Sequence, residues 1–201
     1  MWARDKTFLM DKKNTIRAFF AIVPSTEIRL HLLKVLHSLK QEMPEDYMRW
    51  VHVENLHITL HFIAQLQSKD VALVSKRVSN ALKHIPSFQL KLGPLEWFPM
   101  LRHPKVLSLI VEPHELLSKF ASIITQSFSF LNYPIASRPF RGHMTLARVH
   151  HCPHKQQQLL APIKLEDIPP MTVDKIYFIE SKLGQEQSTY TTLTQFHLLK
   201  H

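Results

Sequence analysis

The sequence predicts an α+β fold of two pseudo-symmetric lobes, each a mainly antiparallel sheet with helices on its outer face, enclosing a central cleft. Three observations predict it. Strand-like and helix-like segments come in the same order twice along the 201 residues. One tetrapeptide pattern stands at the matching place in each half, as His57-Ile58-Thr59-Leu60 and as His143-Met144-Thr145-Leu146. No stretch rich in glycine or serine separates the halves, so residues 15–201 read as a single bilobal domain behind an N-terminal extension of residues 1–14.

The elements follow from periodicity and punctuation. Ile16 to Val23 is an apolar, aromatic run stopped by Pro24, the pattern of a buried strand. Ser25 is placed to cap a helix, with Glu27 in its first turn, and Ile28, Leu32, Val35, Leu36 and Leu39 recur at helical spacing before Pro44. Arg49 to Val53 and Leu56 to Ile63 alternate as strands do. A second amphipathic helix is expected over Asp70 to Ile85, through Val71, Val74, Val78 and Leu82, and a strand over Phe88 to Trp97. The second half repeats this order. Val106 to Val111 is a strand ended by Pro113, His114 to Asn132 an amphipathic helix, and Phe140 to Val149 a strand. A short helical piece is expected near Lys155 to Ala161. Strands at Val173 to Ser181 and Tyr190 to Leu199 follow, with Gly184 in the turn between them.

Composition narrows the chemistry. Lysine and arginine number 25 against 16 acidic residues, a formal charge of +9 whose field draws polyanions, nucleic acid foremost. Three glycines (Gly93, Gly142, Gly184) exclude glycine-rich phosphate loops, so any phosphate must be held by side chains. The lone cysteine, Cys152, excludes an internal disulfide and favours a reducing compartment. The apolar stretch Phe8-Leu9-Met10 is too short for a signal-peptide core, and no run approaches a membrane span. A cytoplasmic protein with no membrane partner is expected, and a monomer, because each half supplies the other's partner surface.

On a strand, residues two apart share a face. His57 and Thr59 therefore point one way while Ile58 and Leu60 point to the core. His143 and Thr145 repeat the arrangement in front of Met144 and Leu146. A twofold relation brings the two faces together across one cleft. Two imidazoles there can divide the proton transfers of phosphodiester cleavage without a metal, one taking a proton and one giving it. A threonine hydroxyl beside each can hold a non-bridging phosphate oxygen. A single His-x-Thr string arises by chance in a chain with 14 histidines, but a second copy in the corresponding place does not arise readily.

Other residues carry weaker signals. Arg141 shares parity with His143 and Thr145, which aims its guanidinium at the phosphate; the alternative is a solvated strand-end arginine. Arg148 has the opposite parity, which suits structure or a nucleic-acid backbone, and Arg138 stands before Pro139 where either role fits. His61 continues the His57–Thr59 face, with a solvated position favoured. Phe20, Trp50 and Phe140 are candidates to stack a base, although core packing is the commoner fate of strand aromatics. Trp97-Phe98-Pro99 beside Arg102, His103 and Lys105 is a candidate basic rim. The run His150-His151-Cys152-Pro153-His154 lacks a partner ligand pair at structural-zinc spacing, so no metal and no cofactor are expected.

These residues carry a resemblance to a known family. IRAFFAI at 16–22, RWVHVENLHITLHFI at 49–63, RPFRGHMTLARV at 138–149 and VDKIYFIESKLG at 173–184 resemble the 2H phosphoesterase superfamily. Within it they are most similar to the RNA 2′,3′-cyclic phosphodiesterases long called 2′-5′ RNA ligases, the LigT/ThpR-like group. The resemblance implies the 2H phosphoesterase fold and a cofactor-free hydrolase that opens 2′,3′-cyclic phosphate ends of RNA to 2′-phosphates. It implies that His57 donates a proton to the departing 3′-oxygen and His143 accepts one from water, with Thr59 and Thr145 binding the phosphate. The reverse reaction, a 2′-5′ ligation, is implied as a minor activity. Two departures stand out: Gly142 occupies a position where proline is common, which is expected to loosen the approach to His143, and residues 1–14 lie outside the pattern. The alternatives are a phosphodiesterase for 2′,5′-oligoadenylate or cyclic nucleotides, and a non-catalytic module that binds RNA ends.

Overall fold

Apolar and β-branched runs form the strands of this chain, and in the computed structural model they assemble from both ends of the sequence. The structure describes residues 14–43, 48–100, 104–134, 139–150, 165, 167–184 and 188–200. The order is β1 (Thr15–Ile22), α1 (Thr26–Glu42), β2 (Met48–Trp50), β3 (Ile58–Gln67), α2 (Val71–Leu82), β4 (Phe88–Phe98), β5 (Val106–Glu112), α3 (His114–Ser127), β6 (His143–Val149), β7 (Met171–Val173), β8 (Lys175–Lys182) and β9 (Thr189–His197). The expected helical piece at 155–161 and nearly all of the N-terminal extension lie outside the described residues.

The strands hydrogen-bond in the order β7-β4-β5-β6-β3-β1-β8-β9, with β2 also on β6, and the pairs are antiparallel. One lobe is β3-β1-β8-β9 and the other β7-β4-β5-β6. The lobes are therefore not the two halves of the sequence. Strand β4, from the first half, pairs with β5, while β8 and β9, from the second half, complete the sheet beside β1. The lobes join at one pair, Ile58 opposite Met144.

Local chemistry explains the elements. Ser25 accepts a hydrogen bond from the Ile28 amide and caps α1, whose buried stripe is Ile28, Leu32, Val35, Leu36 and Leu39. Helix α2 packs on α3 and β9, and α3 packs on β3 and β5. Phe20 is fully buried and lies flat on Phe178, with ring centroids 4.3 Å apart and planes 5° apart, flanked by Phe128 and Phe196. Phe20 is thus a core residue and cannot stack a base. The Tyr133 hydroxyl donates to Asp70 Oδ2 at 2.5 Å and accepts the Gln67 amide at 3.0 Å, tying the end of β3 to the start of α2. Burial, with Asp70 alongside, pushes the Tyr133 phenol up to about 12, so it stays a donor.

Several expected boundaries move. The strand expected at 49–53 ends at Trp50, because the chain turns through a short 3₁₀ segment at Val53–Asn55. The helix expected to reach Asn132 ends at Ser127; a 3₁₀ turn follows, closed by Asn132 in the left-handed region at φ 54°. The strand expected from Phe140 begins at His143. The run expected as one strand over 173–181 is two pieces, β7 on β4 and β8 on β1.

Gly142 is buried against Val111 and Phe140. A Cβ there would stand 2.9 Å from Val111 Cγ2 and 3.2 Å from Phe140 Cζ. Close packing at this point replaces the looseness expected from a missing proline. Gly142→Ala should therefore lower the unfolding free energy by about 1–3 kcal/mol, read from urea denaturation. An unchanged midpoint would show that Val111 and Phe140 give way freely.

Candidate active site

The register at the lobe junction builds the site. Ile58 and Met144 are both fully buried and face each other on antiparallel strands. That register sets residue 57 across from 145 and residue 59 across from 143, on the opposite face of the sheet from the core. His57, Thr59, His143 and Thr145 accordingly line one cleft, of about 430 Å³, a size suited to a small ligand.

Each histidine stands where its strand begins, so the carbonyl two residues earlier is available to the ring. His57 Nδ1–H donates to the Asn55 carbonyl at 2.7 Å, an acceptor presented by the 3₁₀ turn. His143 Nδ1–H donates to the Arg141 carbonyl at 3.0 Å. A carbonyl only accepts, so in both rings Nδ1 carries the proton and Nε2 is the nitrogen left for chemistry. Each ring is also stacked on a phenylalanine: His57 on Phe19 of the neighbouring β1 at 4.6 Å, and His143 on Phe98 at the end of β4, two strands away, at 3.9 Å. Tyr190 stands edge-on to both Phe19 and His57.

Burial lowers the pKa of both imidazoles below the ordinary value. For His57 the Asn55 carbonyl opposes this, while Arg148 and His143 push the same way as burial. For His143 the Arg141 carbonyl and Glu96 oppose burial, and the Arg141 charge adds to it. Among the described residues, the cleft lining includes the cations Arg17, Arg49, Lys105 and Arg148 and no carboxylate. The chemistry open to this arrangement is proton transfer to and from an anion.

A bulge follows each motif. Phe20 and Ala21 pair with His61 and Thr59, leaving Leu60 as the extra residue in β3. Leu107 and Ser108 pair with Ala147 and Thr145, leaving Leu146 as the extra residue in β6. A bulge reverses the faces of all residues beyond it. His61, expected on the cleft face and solvated, turns inward instead and is 8 % exposed. Its Nδ1–H donates to Thr125 Oγ1 at 2.9 Å, since that hydroxyl already donates to the Ala121 carbonyl; burial lowers its pKa. Phe62 takes its place in the cleft. In the other lobe the same reversal brings Arg148, expected to face away, into the cleft.

Arg141 goes elsewhere. Its guanidinium donates to the Pro99 carbonyl at 2.9 Å, forms an ion pair with Glu96, and lies 4.9 Å over the Phe98 ring. It is absent from the cleft lining, and its contact with the site is through its backbone carbonyl and Phe98. Trp50 lines the cleft, whereas Phe140 packs near His114 and Gly142. From the expected basic rim, Phe98, Pro99 and Lys105 line the cleft; Arg102 and His103 lie outside the described residues, as does Arg138. Among the described residues no group of three or more His, Cys, Asp and Glu is placed to hold a metal ion; of the 150–154 run only His150 is described. Sequence reasoning missed Phe19, Phe62, Tyr190, Arg17 and Arg49. The signal available for two cleft residues was positional: Phe62 and Arg148 each stand five residues after a motif histidine.

No described helix is long and apolar enough to cross a membrane. Comparison with known proteins agrees with the geometry. The family model for LigT-like phosphoesterases matches residues 22–108, which contain the first motif. An RNA 2′,3′-cyclic phosphodiesterase of Thermotoga maritima is 25 % identical over 181 residues, covering 89 % of this chain and 93 % of the relative. One of Aquifex aeolicus is 26 % identical, covering 91 % and 97 %. Coverage of that extent spans both histidine strands. A crystal structure of E. coli LigT complexed with 3′-AMP superposes with a TM-score of 0.73 at 23 % identity, covering 92 % of this chain and 99 % of that one. A repeated histidine motif whose copies meet at the lobe junction thus stands beside a likeness to LigT-like phosphoesterases over residues 22–108 and to RNA 2′,3′-cyclic phosphodiesterases along almost their whole length.

Proposed function

We propose that this protein hydrolyses 2′,3′-cyclic phosphate ends of RNA to 2′-phosphates without a metal, using the two motif histidines. The observation that carries the reading is the matched pair: two imidazoles, each with Nδ1 tied to a carbonyl and Nε2 available, in one cleft whose described lining has cations and no carboxylate. The relatives named for this activity support the substrate.

In the proposed reaction water attacks phosphorus as His143 Nε2 takes its proton. The bond from phosphorus to the 3′-oxygen breaks, and His57 Nε2–H supplies the proton that makes it a hydroxyl. Thr59 and Thr145 donate hydrogen bonds to the non-bridging oxygens, and Arg148 stabilises the charge that builds there. The stacks on Phe19 and Phe98 hold the rings in place, so orientation is settled before substrate arrives. Both histidines are biased to the neutral form in the empty cleft. A bound phosphate anion favours the imidazolium and provides the protonated partner. Run in reverse, with the 5′-hydroxyl of a second RNA in place of water, the same groups give a 2′-5′ linkage as a minor reaction. A single copy of the chain carries out these steps, in the cytoplasm.

The deciding experiment is incubation of a short RNA ending in a 2′,3′-cyclic phosphate, in excess chelator, with analysis of the product. A 2′-phosphate is expected; a 3′-phosphate, or no turnover, defeats the reading. Slower turnover of cyclic mononucleotides and 2′,5′-oligoadenylate separates it from the related diesterase activities. His57→Ala and His143→Ala should each reduce kcat by about 10²–10⁴-fold while leaving the thermal unfolding curve folded-like.

The pH dependence follows from the depressed pKa values. With one histidine protonated and the other neutral, kcat/KM should be bell-shaped with its optimum below 6.5, the ordinary histidine value. Bound phosphate raises the pKa of the acid, so the alkaline limb of kcat should lie at higher pH than that of kcat/KM. Coincident limbs would contradict a proton held through the phosphate. Arg148→Ala should lower kcat by about 10²-fold, with Arg141→Ala, whose guanidinium lies outside the cleft, costing clearly less.

A further inference from the structure

Positions 62 and 148 are equivalent under the pseudo-symmetry, each the second residue beyond a bulge, yet one is phenylalanine and the other arginine. Strands β3 and β6 run antiparallel from their shared pair, so these residues lie toward opposite ends of the cleft. Arg148 accounts for charge. Phe62 is unaccounted for: it is 42 % exposed, and it is the only one of the exposed large apolar side chains among the described residues that lines the cleft. The Arg17 guanidinium lies 5.3 Å from its ring centroid. Phe62 is also the direct cross-strand partner of Phe19, on which His57 is stacked. The platform therefore lies one strand spacing, about 5 Å, from the ring that supports the proton donor.

Resting on the reading of this cleft as a site for RNA phosphate ends, we propose that Phe62 and Arg17 form a stacking subsite for the nucleobase of the nucleotide that bears the phosphate. An aromatic face and a guanidinium plane are the two surfaces on which unstacked RNA bases are laid. Neither has hydrogen-bonding edges arranged to read a base, so the subsite accepts any base and requires only that one be present. The asymmetry between Phe62 and Arg148 then orients a substrate that the twofold-related histidines alone would admit either way round.

The test is binding of a short RNA carrying a terminal 2′-phosphate, and of the same RNA with an abasic terminal nucleotide, by fluorescence anisotropy at fixed salt. Phe62→Ala should weaken binding of the base-bearing end about tenfold. Phe62→Trp should restore it, and both variants should bind the abasic end as the unaltered protein does. On the cyclic-phosphate substrate the alanine variant should raise KM with kcat nearly unchanged. Equal loss on both ends would make Phe62 a support of the cleft wall and overturn the subsite, as would no loss or no binding by the unaltered protein. Hydrolysis without this pattern sinks the subsite and spares the proposed activity. The binding pattern without hydrolysis does the reverse.

Discussion

One backbone pair, Ile58 opposite Met144, sets the geometry on which the cleft depends. Both side chains are fully buried, so the core holds the register from behind while the histidines face out in front. A slip of one residue in either strand would drive an imidazole into the core and expose an aliphatic side chain, a double penalty that makes the register stringent. The same pair is where the two lobes join. The link that makes the sheet continuous therefore also brings the two motifs face to face.

Symmetry extends beyond the motifs. His57 immediately precedes β3 and His143 opens β6, each donates Nδ1–H to the carbonyl two residues before it, and each rests on a phenylalanine, Phe19 of β1 or Phe98 of β4. These features depend on one another. A histidine deeper in the ladder would find that carbonyl committed to a neighbouring strand. The hydrogen bond selects the tautomer, the stack restricts ring rotation, and burial keeps the neutral form favoured until an anion arrives. The site is a symmetric frame with asymmetric fittings: an arginine beyond one bulge, a phenylalanine beyond the other, and Tyr190 beside only one of the rings.

Crossed strands at the ends of the chain make the lobes interdependent. Because β8 and β9 complete the sheet that β1 and β3 begin, the first lobe closes only when residues near both ends of the described chain have come together. Side chains from both lobes join one large apolar cluster behind the cleft, and a smaller cluster around Phe19, Ala21 and Ile179 lies beside His57. The apolar run of β1 serves both: Ala18, Phe20 and Ile22 face the large cluster, Phe19 and Ala21 the small one.

Much of this was legible in the chain alone. The duplicated motif, the helix stripes and the buried first strand are local patterns, and local patterns reflect which face of an element must leave water. They identified His57, Thr59, His143 and Thr145 as cleft residues and kept Ile58 and Met144 in the core. Strict alternation failed just beyond each motif, where an extra residue reverses the faces. It put His61 on the wrong side, turned Arg148 away from the cleft and overlooked Phe62. The failure has a physical cause, since a bulge is decided by the strand next door and Leu60 and Leu146 look like ordinary strand residues in sequence. The guanidinium of Arg141 went to Glu96 for a similar reason: parity gives the face from which a side chain starts, and a carboxylate 45 residues away decides where it ends. Sequence determined which residues turn from water and which chemistry the repeat could support. Tertiary structure decided which strands became neighbours, and through their registers which side chains reach the cleft.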